Sequence, residues 1–214
     1  MDWPLFALTV RTPRLELRYP DDADLQEVAG LADGGIHDAG YMPFSVPWTR
    51  QTGVALRRGT LQWNWRSRAE WTPEHWNFNP VVVVDDRIVG VQGMNADNFA
   101  VARTVSTGSW LGREHQGRGI GTEMRSAILH LAFAGLGAWA AHSAARDDND
   151  ASMAVTKKLG YRPNGEELAS FDGERVRLLS YRMTREDWQA RRRDDIVISG
   201  LEPCLDLFGA DGSV

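Results

Sequence analysis

Gln116-Gly117-Arg118-Gly119-Ile120-Gly121 stands between a strand-like segment ending at Leu111 and a stretch with helical periodicity. Ile120, Met124, Ala127, Ile128 and Leu131 form one apolar stripe, which predicts a helix from 119 to about 135. Arg118, Glu123 and Arg125 lie off that stripe. No Ser, Thr, Asp or Asn precedes the helix, so Gly119 takes the cap position. A helix leaves its first N–H groups unpaired and carries partial positive charge at that end. Glycines put no Cβ in the way of a ligand. A phosphate or pyrophosphate fits such a tip, and Arg113 and Arg118 add cationic donors. Read from the glycines alone, a turn that merely allows tight strand–helix packing is an equal alternative. No Gly-Lys-Ser/Thr follows, so the segment is not a P-loop. The GxGxG spacing, with Arg146 and Asp147 ending the next strand, suits a dinucleotide site poorly.

Working outward, Arg14 to Arg18 alternates apolar and charged residues like a half-buried strand. Asp21 and Asp22 are placed to cap a helix over 23–32, closed by Gly34-Gly35. An irregular stretch with Pro43 and Pro47 follows, then a helix over 50–68 whose Leu61 and Trp65 would share a face. Residues 81–84 and 88–94 read as strands joined at Asp85-Asp86-Arg87. Further strands are expected over 104–111 and 139–145. A short helix over 151–159 ends at Gly160. Asp172-Gly173 is a hairpin signal leading into a strand over 176–183. Hairpins combined with a strand–helix–strand crossover imply an α+β, mixed α/β domain over 1–183. Residues 184–214 read as an appendage packed on the domain or on a partner subunit, with a short strand near 196–198. Val197, Ile198, Leu205, Leu207 and Phe208 need a surface, which leaves a homodimer or higher homo-oligomer open.

The 214 residues are 43% hydrophobic and 25% charged, with a net charge of −5. That composition is globular, and its acidity argues against broad nucleic-acid binding. No apolar run reaches the roughly 18 residues of a membrane span, and the first residues do not resemble a secretory signal. A lone Cys204 excludes an internal disulfide framework and a multi-cysteine metal site. No metal is expected, and a reducing cytoplasm is the expected setting. Lys157 and Lys158 are the only lysines against 22 arginines.

Gln116-x-x-Gly119-x-Gly121 after a strand resembles the acyl-CoA pyrophosphate signature of the GCN5-related N-acetyltransferases (GNAT). Asn149-x-x-Ser152-x-x-Val155-x-x-Lys158-Leu159-Gly160-Tyr161 and Thr12-x-Arg14-Leu15-x-Leu17-Arg18 resemble blocks of the branch of ribosomal-protein N-terminal acetyltransferases, the RimJ/RimL-like proteins. The resemblance implies a GNAT-like fold: a mostly antiparallel sheet splayed at a central V-shaped cleft, with helices on both faces. It implies acyl-CoA as cosubstrate, acetyl by default, and a small-molecule or peptide amine as acceptor. Backbone at Trp110, Leu111 and Gly112 would meet the pantetheine arm. The amides of Gln116, Gly117, Arg118, Gly119, Ile120, Gly121 and Thr122 would meet the pyrophosphate, with Arg113 beside them. Asn149 matches a pantetheine contact and Ser152 a residue near the thioester sulfur. Lys158 is a candidate for the 3′-phosphate.

Acyl transfer needs donors for an oxyanion, here a backbone N–H near Trp110–Leu111. It also needs a proton for the leaving thiolate, for which Ser152 is the candidate. Family members that use a carboxylate on the strand before the loop differ from this chain, whose Val105 to Trp110 holds none. His37, Asp38 and His142 are the alternatives for the base. Each also has a structural reading: His142 as a core histidine, Asp38 in a turn, Asn149 as a helix cap. The lack of that carboxylate keeps a non-catalytic acyl-CoA-binding module open. Trp48, Trp63, Trp65, Trp71 and Trp76 could line an acceptor pocket or pack the core. Arg50, Arg57, Arg58, Arg66 and Arg68 form either a solvated face or a site for a carboxylate-bearing acceptor or succinyl-CoA.

Overall fold

The computed structural model describes residues 2–44, 46–171 and 173–210. Its strands are β1 (Thr9–Arg11), β2 (Glu16–Arg18), β3 (His75–Phe78), β4 (Val81–Val84), β5 (Arg87–Asp97), β6 (Thr104–Leu111), β7 (Ala140–Arg146), β8 (Arg162–Phe171), β9 (Glu174–Thr184) and β10 (Val197–Ser199). Its helices are α1 (Asp22–Asp33), α2 (Gly53–Ala69), α3 (Phe99–Ala102), α4 (Ile120–His130), α5 (Asp150–Leu159) and α6 (Arg185–Gln189). One sheet runs β10-β1-β2-β4-β5-β6-β7-β9-β8, with β3 also on β5. Every pairing is antiparallel except β6 with β7.

That exception shapes the molecule. β6 pairs with β5 over Ser106 to Leu111, and β7 pairs with β9 along its whole length. The two halves of the sheet meet only at Thr104–Ala140, Val105–Ala141 and Ser106–His142. Beyond these three pairs the strands part, and the remainder of β6 and of β7 forms the two arms of a V. Each arm is paired along its outer side, β6 with β5 and β7 with β9.

Local chemistry sets the boundaries. Asp21 and Asp24 form a capping box at α1. Asp85 and Asp86 both take positive φ, the conformation of a type I′ hairpin turn. Asn149 caps α5, and Gly160 ends it at φ +89°. A Cβ at Gly160 would also sit 2.6 Å from the Arg191 guanidinium, which would have to move aside; the positive φ is what calls for glycine. The last turn of α4 widens into a π-helical turn over Leu131–Gly135. The hairpin signal at Asp172 falls outside the described residues; Gly173 beside it has φ +80°.

α1 and α2 cover one face: Val28 packs on Val81, Ile88 and Val91, and Leu61 packs on Leu25 and Ala29. α4 buries Ile120, Met124, Ala127 and Ile128 on the other face with the main core. Trp65 shares the α1-facing side of α2 with Leu61, at its rim: it is 43% exposed, its Nε1 donating to Asp22 Oδ1 at 3.1 Å. Two sequence expectations need correction. Glu123 and Arg125, off the apolar stripe, are nevertheless 6% and 4% exposed, because each meets polar partners on the sheet side. The strand expected over 14–18 is shortened to β2, because Thr12 and Leu15 close a turn before it, and β1 precedes that turn. β3, α3 and α6 were too short to leave a periodic signal.

The segment after Thr184 joins the same sheet and core. β10 pairs with β1, Trp188 stacks on Phe133 at 5.3 Å, and Phe208 is fully buried against Trp71, Trp76 and Phe78. In the run Arg191 to Arg193, Arg192 lies over Trp188 and Arg193 pairs with Asp195 and Glu123. Phe208→Ala removes the ring on which three aromatics close. It is expected to cost about 3–5 kcal/mol, read as a lower midpoint in urea unfolding.

Candidate active site

The site forms where the split in the sheet meets the front of α4. Gly119 has φ +79° and gives no side-chain cap. Among the described residues nothing accepts a hydrogen bond from the N–H groups of Gly117, Arg118, Gly119, Ile120, Gly121 or Thr122. These donors converge at a helix tip with the chemistry to hold an anion. Gln116 differs from the expectation: its N–H donates to Arg113 O at 3.3 Å. Its side chain donates to Ile36 O at 2.7 Å and Leu111 O at 2.9 Å. It fixes the loop to the end of β6, and its amide is not among the unpaired ones. Gly121 is in ordinary helical conformation; a Cβ there would lie 3.6 Å from Val155 Cγ2, an ordinary packing contact, so the α4–α5 packing does not itself demand glycine.

The first sequence block has a mechanical role. Thr12 Oγ1 donates to Glu123 Oε1 at 2.7 Å and Arg14 Nε to Glu123 Oε2 at 2.6 Å. Arg14 also reaches Arg118 O at 3.5 Å. Glu123, in the first turn of α4, is thereby clamped to β1–β2, and the loop with it. Burial pulls the Glu123 carboxyl up, but the Thr12 and Arg14 hydrogen bonds outweigh it and hold it below 4.5. This interaction therefore stabilises the fold above the ordinary carboxylate range and is lost as pH falls through the depressed value.

The backbone of β6 sorts its residues by parity. Gly112 N–H donates to Val89 O at 2.9 Å, and the register with β5 is unbroken. Alternation turns the N–H and C=O of Trp110 and Gly108 toward β5, and those of Leu111, Ser109 and Thr107 toward the split. Trp110 is thus corrected as an oxyanion donor: its amide is committed to the β5 ladder. The free edge is the N–H of Leu111 with the backbone of Ser109, since Leu111 O already accepts from Gln116. The Trp110 side chain lies on the α1 face, 5.8 Å from Trp48, which is 5.3 Å from Phe44. Phe44, Trp48 and Trp110 form one aromatic wall. Trp71 and Trp76 belong to the core and Trp63 is exposed.

On the opposite arm, Asn149 Oδ1 accepts from Ser152 N–H at 3.0 Å, capping α5. That leaves its side-chain N–H groups for other partners. Ser152 is half-buried, with an unpaired hydroxyl among the described residues. Lys158 is exposed in the last turn of α5. Arg113 forms an ion pair with Asp38, and Arg118 is exposed without a side-chain partner.

Of the three base candidates, two are engaged. His37 holds Thr49 Oγ1 at 2.7 Å and Asp38 O at 3.0 Å, and Asp38 holds Arg113. His142 stands opposite Ser106 at the foot of the split, on the same face as Trp110, with no hydrogen-bonded partner on its ring among the described residues. Burial and the charge of Arg182 push it below 6.5, so it is neutral at pH 7. Tyr41 was missed by sequence reasoning, which saw only a loop. Its hydroxyl donates to Asp148 O at 3.2 Å and Oδ1 at 3.3 Å, tying the 34–50 loop across to the β7–α5 turn. Burial, then Asp148, raises its pKa to about 12, keeping it a donor.

With this geometry in view, the comparisons are direct. Residues 14–162 match the acetyltransferase (GNAT) domain, more than half of the chain. The chain belongs to the GNAT family. Among solved structures it is similar to RimL, the ribosomal L7/L12 alpha-N-protein acetyltransferase in complex with coenzyme A. That match has 18% identity and a TM-score of 0.64, over 81% of this chain and 95% of that one. Mycobacterium smegmatis RimJ with CoA-disulfide aligns at 18% identity and TM-score 0.65, over 86% and 90%. The microcin C7 self-immunity acetyltransferase MccE, with acetyl-CoA and AMP, aligns at 17% and 0.65, over 80% and 93%. At these identities the likeness is one of fold. Among the described residues no helix is long and apolar enough to cross a membrane.

Gly119→Glu places a charged side chain at positive φ beside the unpaired amides. It is expected to abolish the rise in melting temperature that coenzyme A gives the wild type, while the unliganded protein still unfolds cooperatively. Glu123→Gln is expected to cost about 1–3 kcal/mol at pH 7 and to flatten the loss of stability below pH 4.5, measured by denaturation across pH.

Proposed function

We propose that this protein is an N-acyltransferase that moves an acyl group, acetyl by default, from acyl-CoA to a primary amine by direct attack. The observation that carries this is the set of unpaired amides at the tip of α4, facing the mouth of a sheet split between two parallel strands. Those amides suit the pyrophosphate, with Arg118 adding charge. The free edge of β6 at Leu111 and Ser109 suits the amide groups of the pantetheine arm.

The chemistry then falls to few groups. The amine nitrogen forms a bond to the carbonyl carbon and the carbon–sulfur bond breaks. Leu111 N–H is the candidate donor to the carbonyl oxygen as it gains charge. His142, neutral and unpartnered, accepts the proton that the amine loses. Ser152 donates toward the leaving sulfur. The wall of Phe44, Trp48 and Trp110 lies on the His142 face, which favours an acceptor bearing an apolar or aromatic group beside its amine. The RimJ/RimL likeness makes a peptide N-terminus the first class to try, and the absence of a carboxylate on β6 is met by His142.

Release of thiol from acetyl-CoA, measured against a panel of amines and peptides, tests the reading. A rise in melting temperature with coenzyme A but no thiol release from any amine would leave a binding module. Succinyl-CoA in the same assay tests the acyl group. His142→Ala is expected to lower kcat by about 10²–10⁴-fold. Because His142 acts in its neutral form, activity falls as pH drops through its depressed pKa, below 6.5. Arg182→Gln removes a charge that disfavours the imidazolium, so the acid limb of the kcat/KM profile should move to higher pH.

A further inference from the structure

Arg125 is the least expected residue beside the split. It projects from α4 toward the sheet and is 4% exposed. Its guanidinium reaches three strands at once. Nη1 donates to Thr107 Oγ1 at 3.1 Å and to Ser143 Oγ at 3.1 Å. Nη2 donates to Ser109 Oγ at 3.0 Å, and Nε to Gln92 Oε1 at 3.3 Å. Thr107 and Ser109 lie on β6, Ser143 on β7 and Gln92 on β5. Thr107 and Ser143 are the first residues past the last β6–β7 pair, so Arg125 bridges the two arms where the ladder stops.

All four partners are neutral. Among the described residues no carboxylate comes within ion-pairing distance of Arg125, although buried arginines are normally paired. Guanidinium stays protonated in proteins, so a full positive charge rests under the fork, weakly screened by its surroundings. Structure alone does not require this: hydroxyl and amide partners return less than a carboxylate would, and the desolvation cost remains.

We infer that Arg125 is a positioning residue for acyl transfer, fixing the spacing of the fork and lending its unneutralised charge to the negative charge that forms on the thioester oxygen and then on the departing sulfur. This rests on the acyltransferase reading. Thr107 and Ser109 each accept from Arg125, which polarises their hydroxyl protons; Thr107 in turn donates a hydrogen bond to His142 O at 3.2 Å, tying β6 to β7. The charge belongs where the reaction is negative and is idle in the resting protein, so it should act on kcat more than on binding.

The test uses the full chain and Arg125→Met, which fills a similar volume without charge. For each protein, three quantities are measured: the melting-temperature rise with coenzyme A, kcat and KM for acetyl-CoA, and the thiolate ultraviolet band of bound coenzyme A against pH. The expected result is a retained melting-temperature rise, a KM within about threefold, a kcat lower by about 10²-fold and about tenfold less bound thiolate at neutral pH. An unchanged kcat and an unchanged thiolate titration in a folded variant overturn the inference, and so does a loss confined to KM. If Arg125→Met does not fold, Arg125→Lys carries the test. Its charge should keep the thiolate near the wild-type fraction while kcat falls, and a thiolate titrating as in free coenzyme A overturns the inference. No coenzyme A effect and no thiol release in the wild type would instead sink the acyltransferase reading itself.

Discussion

Three residue pairs hold this sheet together across its centre. β6 and β7 run in the same direction, so a crossover must join them, and that crossover is the glycine loop with α4. Both strands are longer than their shared ladder. Beyond Ser106 and His142 each is held only from its outer side, by β5 and by β9. The unsatisfied edges that result are a liability in most sheets; here they are framed by the tip of α4, whose own amides are also unpaired. Two sets of backbone donors with no protein partner face the same space, and the site follows from that coincidence.

The rest of the molecule keeps this opening in shape. Thr12 and Arg14 clamp Glu123 and so fix the front of α4. Gln116 pins the loop to the carbonyl of Leu111. Asn149 sets the start of α5 on the far arm, and Arg125 spans the fork from beneath. Tyr41 closes a link from the α1–α2 loop to Asp148 on the other side. Most of these are side-chain hydrogen bonds to backbone or to neutral groups, which fix distance and direction more than they add stability.

The class of fold was legible because its signals are local. The apolar stripe of α4, the Asp85-Asp86 turn and the Asn149–Gly160 limits of α5 each follow from neighbouring residues. The capless start of α4 pointed to a ligand by the same logic. What the sequence hid was long-range. Arg125 and Glu123 read as surface residues by periodicity, and only the sheet supplies the hydroxyls and the arginine that bury them. The parity that turns Trp110 away from the split depends on the β5 register. His142 looks like a core histidine until β6 and β7 are seen to part beside it. Trp65 shares a helical face with Leu61, but it meets α1 only at its first residue, Asp22, and so stays half exposed.

The pairing of β10 with β1, and the seat of Phe208 among Trp71, Trp76 and Phe78, carry a consequence for biogenesis. An amino-terminal strand waits for a partner near the end of the chain, Val10 for Ile198, and the aromatic centre of the first half-sheet waits for Phe208, 132 positions after Trp76. Until those partners leave the ribosome, the early half holds an open edge and an uncovered aromatic cluster. A chain cut short before position 208 leaves that aromatic cluster uncovered.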